Sequence, residues 1–394
     1  MAPTRPSKKK GKGKQLAKAK AALSTVSPSD PVALRALLTA STALLEQGDA
    51  LAARKIARDA LSAIESAPSP LTSPLGAALT LLGSIAVETG NIDDARKHFL
   101  RAVETDPEGK LPDEIGGGAE KFLWLAQLSE EGGNDSVKWF ERGSGALRKA
   151  IGKAEEEGKT DVAEEKKRKL AETLCAVAEV YMTDLSWEED AENRCEALIS
   201  EAGLVAPDHA DTWQTVANVR ISQERVDEAK AALERSMAVW RNVESEDARV
   251  PAFPTRVGLA RLLIEVGMEG RAVEVVERLV TEDDQSVESW YLGGFALYNA
   301  GLKLREKKKE AEWKSAWRSA RGWLAQCLLL FQKLEYEDER LGEHANELLT
   351  LVRQEIGDDE GDEEDEGWED DEDGEDDSDE ADEDEDDDED EEMQ

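Results

Sequence analysis

Cysteine, histidine, aromatic residues and long apolar runs are all scarce in this chain of 394 residues. Its three cysteines, Cys175, Cys195 and Cys327, lie far apart and form no C-x-x-C pair. That argues against a disulfide framework or a zinc site and fits small core residues in a reducing compartment. The three histidines, His98, His209 and His344, are equally scattered, so no catalytic constellation can be built on them. No run of about 18 apolar residues exists, and none spans a membrane as a helix. No apolar segment follows the basic start, so a secretory signal is not expected. The GKGK at 11–14 lacks the G-x-x-x-x-G-K-S/T spacing and a preceding strand, so it does not read as a phosphate loop. The expectation is a protein without catalytic activity, cofactor or bound metal.

What is abundant is charge, and it is segregated. Residues 1–20 carry eight Lys or Arg and no acid. Residues 357–394 carry 29 Asp or Glu and no base. The stretch between them has 60 acids against 41 bases, a net charge of −19, which argues against nucleic-acid binding by that region. Both ends have too little apolar area to offset the entropy of ordering and are expected to be disordered. The cluster Lys8, Lys9, Lys10, Lys12 and Lys14 is a candidate nuclear-targeting signal, the alternative being a solvated basic tail.

Between the ends, the stretch GAALTLLGSIAVETGNIDDARKHFLRAVETDP (76–107) sets the pattern. Leu79, Leu82, Gly83 and Ala86 share one face of a first helix, Gly90-Asn91 breaks it, and Ala95, Phe99 and Ala102 share one face of a second. Small residues at Gly83, Ala95 and Ala102 let two antiparallel helices approach closely, with Phe99 filling the gap. This is the tetratricopeptide pattern, a helix–turn–helix unit of about 34 residues that must stack on copies of itself to bury its apolar face.

The same spacing recurs more loosely. A first pair occupies 31–66 and turns at Gly48-Asp49, and the Pro-rich connector PSPLTSP (68–74) follows. The segment 108–118 reads as a loop that Gly116, Gly117 and Gly118 leave flexible. A degenerate third pair, a fourth from about Ala171 and a fifth built on Trp213, Val216 and Ala217 come next. Gly267 and Gly301 stand 34 residues apart and put the sixth and seventh pairs in register. The charged segment KLREKKKEAEWK (303–314) reads as an insertion interrupting the seventh pair. A last amphipathic helix at about 336–355 supplies the polar-backed cap that a solenoid requires. The fold class is therefore all-α: a superhelical tetratricopeptide-repeat solenoid of six to seven helix pairs over 31–356, with a basic segment at 1–30 and an acidic tail at 357–394. Ten tryptophans are unusual here. Trp124, Trp213 and Trp290 fall at the large-residue position of first helices, while Trp313, Trp317 and Trp323 cannot all share one helix face; packing within the solenoid is the favoured reading for them, with an exposed binding anchor as the alternative.

First helices line the concave face of tetratricopeptide arrays, and fixed positions on them point inward. Threaded onto this chain, those positions are Glu46, Glu88, Glu172, Glu179, Asp184, Asp211, Asn218, Glu265, Glu288, Tyr291, Phe295, Tyr298 and Asn299, with Arg35 and Arg261 as the few bases. A groove lined by carboxylates and a few aromatics attracts an extended basic segment and focuses the field that captures it. The Lys and Asn positions by which tetratricopeptide co-chaperones grip acidic chaperone C-termini are occupied mostly by Glu, Ala, Thr or apolar residues.

A Lys-rich start (KKKGKGK), an acidic repeat solenoid and the tail GDEEDEGWEDDEDGEDDSDEADEDEDDDEDEE occur together. In this the chain resembles the fungal dedicated assembly chaperones of the fourth large-subunit ribosomal protein. The resemblance implies that the groove binds the long basic internal loop of that protein, keeps it soluble, accompanies it from cytoplasm to nucleus and releases it on the pre-ribosome. Two other classes share some of these features: a histone chaperone, with a different basic client, and a general tetratricopeptide scaffold, for which the tail is dispensable.

Overall fold

The computed structural model describes residues 31–67, 72–113, 116–245 and 247–357. The basic start, with its lysine cluster, and the acidic tail beyond Gly357 lie outside the described residues. Among those described there are 15 α-helices and no strands. Seven consecutive pairs are α1 (Pro31–Glu46) with α2 (Ala50–Glu65), α3 (Thr72–Glu88) with α4 (Ile92–Thr105), α5 (Glu120–Gln127) with α6 (Gly133–Glu156), α7 (Thr160–Met182) with α8 (Ala191–Val205), α9 (Ala210–Ser222) with α10 (Val226–Trp240), α11 (Phe253–Glu265) with α12 (Glu269–Glu282), and α13 (Val287–Glu306) with α14 (Glu310–Lys333). A single helix, α15 (Glu339–Ile356), closes the stack.

The second pair shows why the pattern folds this way. Gly90, at φ +70°, supplies the left-handed step that ends α3. The Asn91 amide then donates to the Ala86 carbonyl at 2.8 Å, and the Asn91 side chain accepts from the Asp94 amide to cap α4. Ala95, Phe99 and Ala102 of α4 are fully buried. A Cβ at Gly83 would stand 2.6 Å from the Phe99 ring, so the absence of a side chain there sets the interhelical distance. Burial of a ring like that of Phe99 is worth about 3–5 kcal/mol by the cost of its truncation.

Beyond each pair, the apolar residues join into a continuous strip from Ala86 to Ala296, with separate clusters at the two ends. First helices of neighbouring repeats touch: α1 meets α3, α7 meets α9, α9 meets α11, and α11 meets α13. Consecutive second helices meet only weakly. The first helices therefore run at the tighter radius and form the concave side. The cysteines are free and buried, and burial pushes the thiols of Cys175 and Cys327 up to about 12, so they are inert packing residues.

Two sequence expectations change. The segment 303–314 is no interruption: it lengthens α13 and α14 into one hairpin that turns at Lys307–Lys309, and the charged stretch 153–170 lengthens α6 and α7 in the same way. The segment 108–118 is not a loose loop in its described part. Gly116, Gly117 and Gly118 are buried, and a Cβ at Gly116 would sit 2.1 Å from the Gly76 backbone. Close approach explains Gly117, while Gly116 and Gly118 also take the positive φ, +72° and +65°, that favours glycine. Among the described tryptophans, Trp313 and Trp317 are buried and Trp323 packs on Trp290, in keeping with packing inside the solenoid, whereas Trp187 is 75% accessible in the turn after α7.

Candidate protein-binding groove

The concave face divides into regions of different chemistry. At the N-terminal end, α1, α3 and the 113–120 segment enclose a concavity of about 560 Å³. Thr39, Thr42, Thr80 and Ser84 line it, with Arg35 at its wall and Asp113 and Glu120 at its edge. It offers hydroxyls rather than a dense negative field. Between α5 and α7 a smaller hollow of about 180 Å³ holds Trp124, Gln127, Lys169 and Glu172. The Trp124 ring stacks on Phe99 with centroids 6.0 Å apart.

Carboxylates concentrate in the middle, on α7 and α9. Glu172 and Glu179 are two turns apart on α7, and Asp211 and Asn218 are two turns apart on α9, the adjacent first helix. Glu172 stands 3.5 Å from His209 Nε2, whose Nδ1 is 3.1 Å from the Thr212 hydroxyl. Glu179 remains accessible yet is surrounded by protein on most sides, and that desolvation raises its carboxyl above the usual range. Burial raises Asp211 as well, partly offset by His209. Neither carboxylate has a Lys or Arg ion pair among the described residues. These two carboxyls are partly desolvated and lack a Lys or Arg partner, although His209 and a hydrogen bond from Thr255 ease the cost at Asp211.

Other threaded residues sit elsewhere. Glu46, Glu88 and Glu265 are the exposed last residues of α1, α3 and α11. Asp184 lies in the turn after α7, where its Oδ2 accepts from the Gly133 amide at 3.0 Å and ties the third repeat to the fourth, so its role is a staple. Glu288, in the first turn of α13, is ion-paired with Arg261 of α11. The aromatic residues are not a free patch. Tyr291 and Phe295 stack at 5.9 Å, both rings meet His344 of α15, and the Tyr291 hydroxyl is 2.7 Å from His344 Nδ1. Tyr298 stacks on Trp317 at 5.3 Å, and Asn299 is half-buried beside it in sequence. The capping helix thus covers part of the aromatic patch that repeat register assigns to the groove. Lys8, Lys9, Lys10, Lys12 and Lys14 lie outside the described residues.

Register missed the residues that shape the groove's N-terminal half. Asp106 and Lys121 form a buried ion pair at 3.0 Å, with side chains 5% and 0% exposed. Lys121 Nζ also donates to the Gly118 carbonyl, and Asp106 accepts from the Lys110 and Leu111 amides. Burial pushes the Asp106 carboxyl up, but the Lys121 hydrogen bond and the two amides outweigh it and leave the group below its ordinary value. Burial lowers the Lys121 ammonium. This pair fixes the loop against α5 and so positions Asp113 and Glu120. No spacing rule signals a lysine whose partner lies 15 residues away across a loop.

Comparison with known proteins follows this geometry. The tetratricopeptide repeat family matches residues 76–108. A relative from Emericella nidulans is 47% identical over 340 residues, covering 84% of both chains, and is named probable assembly chaperone of rpl4. One from Schizosaccharomyces pombe with the same name is 34% identical over 281 residues, covering 70% of this chain and 80% of the relative. A solved structure, Assembly Chaperone of RpL4 (Acl4), residues 1–338, superposes with a TM-score of 0.64 at 55% identity, covering 72% of this chain and all of that one.

Proposed function

The chain belongs to the fungal family of assembly chaperones of rpl4, and on that premise we propose that it captures a basic extended segment of this ribosomal protein on the carboxylate wall of α7 and α9. It is a dedicated ribosomal-protein chaperone. The observation carrying the groove assignment is the pair Glu179 and Asp211, desolvated, of like charge and without a Lys or Arg partner. Such charges cost the apo protein stability and gain most from a cationic ligand, so a Lys/Arg-rich strand entering the groove offsets the desolvation that the free protein carries. The concavity of α1 and α3 suits the backbone of the same strand, since its hydroxyl oxygens can accept from backbone amides, Thr42 and Ser84 already donating to their own helices.

Capture is electrostatic and then shape-specific. A newly made basic segment aggregates or adheres to RNA, and the acidic wall competes for it. Release follows when ribosomal RNA, a denser polyanion, takes the segment over. Passage between cytoplasm and nucleus, with Lys8, Lys9, Lys10, Lys12 and Lys14 as the targeting element, completes the reading.

The test is a pull-down of the tagged chain at moderate salt with quantified co-purification. Recovery of rpl4 near one-to-one, lost when Glu179→Lys and Asp211→Lys are combined, is the expected result. Full recovery by that variant removes the groove assignment, and core histones in place of rpl4 remove the client.

A further inference from the structure

The hairpin of α13 and α14 carries a basic surface on an acidic solenoid. Residues 305–321 hold seven Lys or Arg and three Glu. Lys314, Arg318 and Arg321 stand at i, i+4 and i+7 and share one flank of α14. Arg305, Lys307, Lys308 and Lys309 gather at the hairpin's tip. Some of this charge is matched: Arg305 pairs with Glu355 at 3.1 Å, Lys309 with Glu312 at 2.9 Å, and Lys314 with Glu310 at 3.0 Å. Lys307, Lys308 and Arg318 are exposed and form no ion pair with any described carboxylate.

The capping helix ends on this surface. Helix α15 packs along α14, and its last turn, through Val352 and Ile356, meets Trp313, Trp317 and Leu304. Arg321 donates to the Gly357 carbonyl at 3.2 Å, which pins the end of α15 to the basic flank. The next nine residues, 358–366, contain eight carboxylates and no base. From Arg321 back to Lys308 the helix covers about 20 Å at its 1.5 Å rise. An extended chain spans that distance in about six residues. The sequence after Gly357 thus starts from the basic flank, bears the opposite charge and is long enough to span it.

We propose that the basic flank of the α13–α14 hairpin is the docking surface for the chain's own acidic segment 358–366, which lies along α14 from Arg321 toward Lys308. The contact neutralises lysines and arginines that would otherwise bind polyanions, and it anchors the root of the tail at the C-terminal rim of the solenoid. It does not depend on what occupies the groove.

The experiment uses the full chain with Glu363→Cys carrying a benzophenone. The three native cysteines are buried, so the label goes to the new site. Irradiation at low salt, followed by mass spectrometry, maps the contact. Cross-links are expected mainly within 303–321, and their yield is expected to fall about fivefold in Lys307→Glu/Lys308→Asn/Arg318→Glu, a loss on the scale of a few exposed ion pairs. Asn is chosen at 308 because it tolerates the positive φ there. A yield unchanged in that variant and at ~0.5 M salt reflects tethering alone and overturns the proposal. So do cross-links concentrated on residues 1–20, or cross-linked dimers, which give the surface to a second copy. Nucleic acid retained on the hairpin, read as high 260 nm absorbance with no tail cross-links, overturns it in favour of RNA as the occupant.

Discussion

Glu224 and Lys308 hold the left-handed backbone conformation, at φ +59° and +55°, that Gly48, Gly90 and Gly267 take in the corresponding turns of other repeats. The turn is the same one: the Arg225 amide donates to the Arg220 carbonyl at 2.8 Å, as that of Asn91 does to Ala86. A side chain in this region costs about 1 kcal/mol. Glu224→Gly is therefore expected to stabilise the protein by about 0.5–1 kcal/mol, read as a higher midpoint in denaturant at unchanged slope. A lower midpoint would mean that the Glu224 side chain earns its place in some other way. These two residues also mark a limit of sequence reading. Glycine announces the turn in repeats one, two and six, whereas repeat five has no such landmark, and the lysines of repeat seven look like an insertion. Tryptophan identity likewise gave no measure of exposure: Trp317 points into the core from α14, whereas Trp187 stands in the turn after α7.

Among the elements, helix pairing was legible from the spacing of small and large residues, and α3 with α4 follows it residue by residue. Helix length was not. Helices α6, α7, α13 and α14, at 20–24 residues, are each longer than half of a 34-residue unit, and their extra turns carry charge on solvated faces, which apolar periodicity does not register. The loop between α4 and α5 is the clearest departure. Its order comes from one buried ion pair, Asp106 with Lys121, and from glycines pressed against neighbouring backbone. Lys121→Met is expected to cost about 3 kcal/mol, because Asp106 is left charged, buried and without its cation. The loss should be local first: limited proteolysis within 108–118 is expected to accelerate while helix content measured by circular dichroism holds. A variant as stable and as resistant as the parent would show that the loop's amides and glycines suffice.

At the scale of the whole molecule, contact between neighbouring first helices makes one side concave, and the carboxylates that repeat register assigns to that side at α7 and α9 stand on two adjacent first helices. It could not foresee that α15 would cover Tyr291 and Phe295, because a terminal cap is defined by where it packs and not by its own pattern. What remains as the groove is a hydroxyl-lined N-terminal hollow and a desolvated acidic centre. Glu179 and Asp211 have raised folded-state values, so the folded protein binds protons more readily than the unfolded chain. Their contribution to stability then improves as pH falls through the raised values and is unfavourable at neutral pH. Neutralising them should not destabilise the free protein, yet it should weaken capture.

The most direct measurement is calorimetric titration of the full chain with the basic internal segment of rpl4 at ~50 and ~500 mM salt, for the parent and for Glu172→Gln/Glu179→Gln/Asp211→Asn. The account predicts that the parent binds at least tenfold more weakly at high salt, and that the variant melts no lower than the parent but binds about tenfold more weakly at low salt. Affinity indifferent to salt and to the three substitutions would contradict an acidic groove as the site of capture.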